Sequence, residues 1–225
     1  MYLSRISLSA RVSERELVKI FCYDIYREHQ ALWKLFSNDR NAKRDFLYRQ
    51  VFEHGSFKYY LLSMRKPHDH QDAWSIETKN YTPSLRAGQR LAFSLRANPV
   101  ICIKDAQGKR KVCDVVMHKK RLINYKNLPY GERPALADLV QESCGQWLEE
   151  RAAKNGFMVK GKEVRADGYR EHVSRMPRGG QVRFRSVDFE GVLTVIEPKL
   201  FEQVLMQGIG KSKSFGCGLF LIKRI

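Results

Sequence analysis

Near its carboxyl end the chain runs Gln207-Gly-Ile-Gly-Lys-Ser-Lys-Ser-Phe-Gly-Cys-Gly-Leu219. Four glycines (Gly208, Gly210, Gly216, Gly218) are mixed with Lys211, Ser212, Lys213 and Ser214 over twelve residues, just before a final apolar strand. Glycine turns the backbone through positive φ and lets a ligand approach main-chain N–H groups. Interleaved lysines and serines add charge and hydroxyls, so the loop is suited to holding a phosphate backbone. It is not a Walker loop, because the order G-x-x-x-x-G-K-[ST] is absent.

His29 is the strongest candidate for proton transfer. It falls late in a helical pattern, with Tyr26 three residues earlier on the same face and Arg27, Lys34 and Ser37 close by. A helix C-terminus and a neighbouring phosphate would both favour its imidazolium form. The same spacing also suits a histidine on the edge of the apolar stripe Ile25, Leu32, Phe36, and on periodicity alone that packing role stands ahead. His68-Asp-His70 could be a metal pair but lacks an evident third ligand, and loop polarity explains it better. His54, His118 and His172 read as turn or surface residues. Asp188 and Glu190 would share one face of a strand and are expected to shape it; no metal or other cofactor is expected.

Two basic clusters stand out: Lys109-Arg110-Lys111, and Arg165, Arg170, Arg175, Arg178, Arg183 and Arg185 interleaved with aromatics. Each alone suits a solvated face. Together with a net charge of +17, from 41 Lys+Arg against 24 Asp+Glu, they favour phosphate contacts. A polyanion is the expected partner, nucleic acid before an anionic membrane. No run approaches the roughly 18 apolar residues of a membrane span. Met1-Tyr-Leu-Ser-Arg leads into alternation, so no signal peptide is expected. Five cysteines without a C-x-x-C pair argue against a disulfide framework and a thiolate zinc site, and suit free thiols in a reducing cytoplasm.

Positioning these residues requires an ordered set of elements. Tyr2 to Leu8 alternates as a strand. Ser13 and Glu16 form an S-x-x-E capping box, and Leu17, Phe21, Ile25, Leu32 and Phe36 extend one helix to a stop at Ser37–Asn41. Phe46–Phe52 and Phe57–Met64 read as a hairpin around His54-Gly55, and Trp74–Thr78 as a last strand. No second helix is expected between Lys66 and Ala73. After a linker at Thr82–Gly88, a strand runs from Arg90 to Arg96, followed by a basic hairpin tip at 105–111 and a polar stretch without assigned structure from Lys119. A helix runs from Pro134 to Asn155-Gly156, then a long strand or strand pair Val182–Ile196, a short helix from Pro198 and a strand Leu219–Ile222. The second half reads β-α-β-β-α-β and the first is a degraded version of it. This predicts an α+β protein of two tandem ferredoxin-like domains, 1–84 and 88–225.

Read in order, several segments resemble the CasE family, the endoribonucleases that process CRISPR RNA in the I-E subtype. They are Met1-Tyr-Leu-Ser, Tyr26-x-x-His29 with Lys34 and Ser37, Gly88 to Pro99 with Leu95-Arg-Ala-Asn-Pro99, Gln146-Trp-Leu-Glu149, Phe189 to Thr194, and the glycine loop. The resemblance is weak over 113–144 and 158–181. It implies two domains of the repeat-associated RNA-binding type. It also implies metal-independent cleavage of the repeat transcript 3′ of its hairpin, and a product retained in the Cascade complex by a subunit that is a monomer when isolated. His29 and Tyr26 match the family's active-site pair, Lys34 and Ser37 match positions near the cut, and Lys213 matches the lysine of the glycine signature. RNA supplies its own 2′-OH nucleophile, so a histidine, a phenol, lysines and loop amides suffice, leaving a 5′-OH and a 2′,3′-cyclic phosphate. The basic clusters would grip the stem by shape and backbone. Three other readings compete: a non-catalytic RNA-hairpin-binding module, a metal nuclease using His68 and His70, and a DNA-binding structural protein.

Overall fold

The computed structural model describes residues 1–9, 24–36, 44–53, 55–70, 72–105, 107–176 and 179–225. The capping box, Leu17, Phe21, Ser37, His54 and Arg178 lie outside these residues.

In the first half, β1 (Tyr2–Leu8) is followed by α1 (Ile25–Trp33), β2 (Phe46–Glu53), β3 (Ser56–Ser63) and β4 (Trp74–Asn80). The strands pair antiparallel in the order β2-β3-β1-β4. No helix separates β3 from β4 among the described residues, so this is a split βαβ unit without its second helix.

The first helix differs from the continuous one read from spacing. Asp24 has extended backbone (φ −98°, ψ 101°), and its carboxylate accepts the Tyr26 N–H at 2.9 Å. That is an N-cap, so α1 starts at Ile25. Leu32 and the following Leu35 face the core with Ile6, Phe46, Tyr48, Tyr59 and Leu61.

The second half comprises β5 (Arg90–Ala97), β6 (Val100–Lys104), β7 (Arg110–Asp114), α2 (Val115–Leu122), α3 (Leu136–Ala153), β8 (Phe157–Met158), β9 (Arg165–Arg175), β10 (Gln181–Val195), α4 (Pro198–Gln207) and β11 (Phe220–Arg224). Its main sheet has the order β11-β5-β10-β8, and β9 also pairs with β10. This is the ferredoxin-like arrangement with β6 and β7 as an added hairpin. The stretch from Lys119, unassigned from sequence, forms the end of α2. Asp114 caps α2 by accepting the Met117 N–H at 2.8 Å, and Lys119, Lys120 and Arg121 lie at its negative end, where cations are favoured. Leu95, Leu148, Phe157, Phe189 and Phe201 form the fully buried centre of this half.

Phe46 to Arg49 on β2 are buried without a break because both faces of the strand are covered. Phe46 and Tyr48 point to the core beneath α1, whereas Leu47 joins Leu62 and Leu219 in an apolar seam between the halves. No described helix is long and apolar enough to cross a membrane.

Candidate active site

α1 carries His29 to the junction of the two halves. Asp24 fixes the helix start twice, through the Tyr26 N–H and through the Ser174 hydroxyl of β9, which donates at 2.6 Å. The half-buried imidazole is walled by aromatic rings: Phe46 at 5.8 Å, Tyr48 at 6.4 Å, Trp33 at 5.8 Å and Phe215 at 6.2 Å between centroids. Phe215 belongs to the glycine loop, so a helix of the first half and a loop of the second meet at this histidine. Nδ1 is buried with no hydrogen-bond partner among the described residues.

Without a phosphate beside it, His29 is not held as imidazolium by the helix end. Burial first, and the Arg44 guanidinium second, push the His29 pKa down from 6.5 to about 4. The helix end cannot offset the loss of hydration in an aromatic enclosure. His29 is therefore neutral near pH 7. One residue earlier, burial raises Glu28 from 4.5 to about 7, against the opposing effects of Tyr59, Arg96 and Tyr48.

The glycine loop is closed on itself. Ile209 N–H donates to the Gly218 carbonyl at 3.0 Å and Gly218 N–H to the Arg96 carbonyl at 2.7 Å. Gly218 has φ +91°, and a Cβ there would sit 2.7 Å from the Ile209 carbonyl oxygen, so the residue must be glycine. Ser212 is left-handed (φ 59°), and its hydroxyl accepts the Asn98 amide at 2.8 Å, which links the Ala97-Asn98-Pro99 segment to the loop. Lys213 Nζ donates to the Gln207 carbonyl at 2.9 Å. Burial and then Arg44 hold this amine below its ordinary pKa. Lys211 is exposed.

Beside the loop lies an open cleft of about 790 Å³, bordered by Arg44, Arg183, Arg185, Lys211, Ser212 and Lys213 among others. Val112 and Asp114 of β7 also border it, so the hairpin carrying exposed Lys109, Arg110 and Lys111 rises from its rim. Phe215 borders both this cleft and a smaller cavity of about 180 Å³ flanked by Glu28, Arg96, Arg170 and His172.

Several expected site residues are not brought together. Lys34 caps the C-terminal end of α1, is exposed and does not border the cleft. Tyr26 is half-buried one helical turn before His29. The basic run 165–185 is not one grip, because it lies on two paired strands whose alternation splits it between faces. Arg165 is engaged by Asp167 and Glu190, while Arg183 and Arg185 share Glu171. Arg170 borders the smaller cavity, and Arg175 is exposed on β9.

His172 is not a turn residue. It lies on β9, shares a 2.7 Å hydrogen bond between Nε2 and the Ser186 hydroxyl, and stacks on Phe184 at 4.7 Å. His118 is on α2. Asp188 is held by Arg96 at 2.9 Å to each carboxylate oxygen and by Arg49 at 3.4 Å. Sequence reasoning missed Arg44, Phe46 and Phe215 as neighbours of His29. Only Phe215, inside the glycine motif, carried a signal that could have marked it.

A family model described as CRISPR associated protein matches residues 1–224. The CRISPR system Cascade subunit CasE of Escherichia coli K12 is 32% identical over 222 residues, covering 97% of each chain. The CRISPR-associated endoribonuclease Cse3 of Thermus thermophilus is 30% identical over 154 residues, 64% of this chain and 60% of that one. Among solved structures, CRISPR endoribonuclease Cse3 bound to a 19-nucleotide RNA shares the fold with a TM-score of 0.70 at 24% identity, covering 99% of this chain and 100% of that one. Escherichia coli K-12 Cas6e gives 0.63 at 25% identity, covering both chains fully. A match along essentially the whole sequence, joined to the same paired-sheet architecture, makes this chain a member of the CasE family of CRISPR-associated proteins.

Proposed function

We propose that the chain is an endoribonuclease that binds the hairpin of a CRISPR repeat transcript, cleaves it 3′ of the stem without a metal ion, and stays with the product in a Cascade complex. The observation that carries this reading is a histidine enclosed at the meeting of α1 and the glycine loop, against Phe215, which borders a cleft lined by cations. The similar CasE and Cse3 proteins, named as a Cascade subunit and an endoribonuclease, support it. Residues 1–84 and 88–225 act as two domains with the active site at their junction.

His29, neutral and with Nδ1 buried, presents Nε2 to the substrate. It is ready to take the proton of the 2′-OH as that oxygen attacks phosphorus, and the departing 5′-oxygen takes a proton from Tyr26 or water to become the 5′-OH. Tyr26, a turn away, orients the 2′-OH or shares the proton transfer. Lys213 and the loop N–H groups face the charge that builds on the phosphate. Lys211, Ser212, Gly208 and Gly210 shape the same loop, and Lys109–Lys111, Arg170, Arg175 and Arg183 contact the RNA backbone. Lys34 and Ser37 contact the RNA near the cut. The products are a 2′,3′-cyclic phosphate and a 5′-OH.

The test is a labelled repeat hairpin incubated in excess EDTA, with a matched RNA carrying 2′-deoxy at the cut nucleotide. Cleavage of the first alone, with a cyclic phosphate end, is expected. Dependence on added divalent metal, or cleavage of the deoxy RNA, would contradict the mechanism.

A further inference from the structure

Arg44 lies just ahead of β2, on a stretch whose backbone is clamped. Its neighbour Asp45 receives Arg65 Nε at 2.7 Å and Arg65 Nη2 at 2.8 Å, and Arg65 Nη1 donates to the Phe36 carbonyl at 2.9 Å. The clamp joins the segment after α1 to the start of β2 and uses up the adjacent carboxylate. Arg44 makes no ion pair among the described residues, and its Nη1 is buried without a hydrogen-bond partner among them. Of the three arginines bordering the cleft, Arg183 and Arg185 are matched by Glu171, and Arg44 by no described acid.

A partly desolvated guanidinium without a counter-ion is costly, and the cost is offset when an anion arrives. Arg44 is also close enough to two other groups of the site to act on them: its charge lowers the pKa of both His29 and Lys213. It thus lies within electrostatic reach of both the imidazole and the glycine loop, at the border of the cleft where the proposed chemistry needs a cation.

We infer that Arg44 is a catalytic residue whose guanidinium binds the non-bridging oxygens of the scissile phosphodiester. The assignment rests on the reading of His29 as the active-site base. Arginine's planar fork suits two oxygens of one phosphate better than an ammonium does. The bonds that form and break are unchanged: the 2′-oxygen bonds to phosphorus, the 5′-oxygen leaves, and Arg44 donates hydrogen bonds as charge accumulates. In the free enzyme the same charge opposes protonation of His29. The other titratable or charged groups on the surrounding elements are Tyr48, Arg49 and Glu53 on β2, Tyr26, Arg27 and Glu28 on α1, and Lys211 and Lys213 in the loop.

The experiment measures single-turnover cleavage of the repeat hairpin, affinity for its 2′-deoxy form, and the His29 titration midpoint by NMR, in wild type, Arg44→Gln, Arg44→Lys and His29→Ala. For Arg44→Gln we expect cleavage slowed roughly a hundred- to a thousand-fold, as for loss of an oxyanion donor. Affinity should fall by no more than about tenfold, as for one phosphate contact among many, and the His29 midpoint should rise. A wild-type rate and an unmoved midpoint in Arg44→Gln, with His29→Ala inactive, would overturn the role of Arg44. Normal cleavage by His29→Ala would instead sink the reading on which it rests. Should Arg44→Gln fail to fold, Arg44→Lys decides: a folded protein slowed about tenfold or more supports the fork, in line with the worth of a bidentate contact, and a wild-type rate overturns it.

Discussion

His29 owes its chemistry to what surrounds it. An imidazole among Phe46, Tyr48, Trp33 and Phe215 loses hydration, and Arg44 adds like charge, so the ring stays neutral down to about pH 4. An NMR titration of the free protein should place its midpoint near 4, and binding of the 2′-deoxy hairpin should raise it, because phosphate favours the imidazolium. A free-protein midpoint at the ordinary 6.5 would mean the ring is hydrated and not enclosed. The sign for stability follows. Between 6.5 and 4 the unfolded chain binds a proton at this position that the folded chain does not, so His29 withdraws stability as pH falls through that window. Glu28 acts oppositely: its folded pKa is raised from 4.5 to about 7, so its contribution is present at low pH and lost as pH rises through that range. His29 was visible in the sequence as a histidine on a helical face with a phenol one turn away. Its neutrality was not, because three of the four enclosing rings come from β2 and from a loop far along the chain, and only Trp33 is on the same helix. Arg44 was invisible for a related reason: one arginine among many gives no signal until it is seen to have no counter-ion among the described residues.

At the scale of elements, the glycine loop reads best from sequence, because its composition is its mechanism. Gly218 shows this directly. A Cβ there would meet the Ile209 carbonyl oxygen at 2.7 Å in a backbone with φ +91°. Gly218→Ala should cost roughly 1–3 kcal/mol of stability and loosen the loop. Thermal melting should fall, and cleavage should slow more than RNA binding weakens; an unchanged melting point and rate would show that the loop can relax. The extent of α1 reads less well. Leu17, Phe21 and Ile25 continue the helical spacing across Asp24, and a cap without a proline or glycine leaves that period intact. β9 gave no strand signal because Arg165, Asp167, Glu171 and Arg175 take the places where an alternating strand would show apolar residues. Its strand pairing matters: it divides a basic run between two faces and supplies Ser174 to pin α1.

Across the whole molecule, the four strands of the first sheet, and β5, β10 and β11 of the second, were legible because alternation and turn residues are local. Their union was not. It depends on the seam of Leu47, Leu62 and Leu219, and on Asp188, whose carboxylate joins Arg96 of β5 to Arg49 of β2. Arg49 is almost wholly buried, so neutralising its partner leaves a desolvated charge. Asp188→Asn should lower stability by about 2–4 kcal/mol, read by urea denaturation, with the two halves uncoupling as the seam loosens. A loss under about 0.5 kcal/mol would mean that the apolar seam alone holds them. The net charge of +17 was also plain, but its distribution was not, since Glu171, Asp167 and Glu190 tie up much of the arginine run.

The central claim is that a metal-free cleavage site sits where α1 meets the glycine loop, with His29 moving the proton. The measurement that tests it most directly is single-turnover cleavage of the repeat hairpin by wild type and His29→Ala in EDTA, with affinity measured in parallel. The account predicts a rate loss of roughly a hundred- to ten thousand-fold at nearly unchanged affinity. Equal cleavage by the two proteins would contradict it and move the active site away from His29.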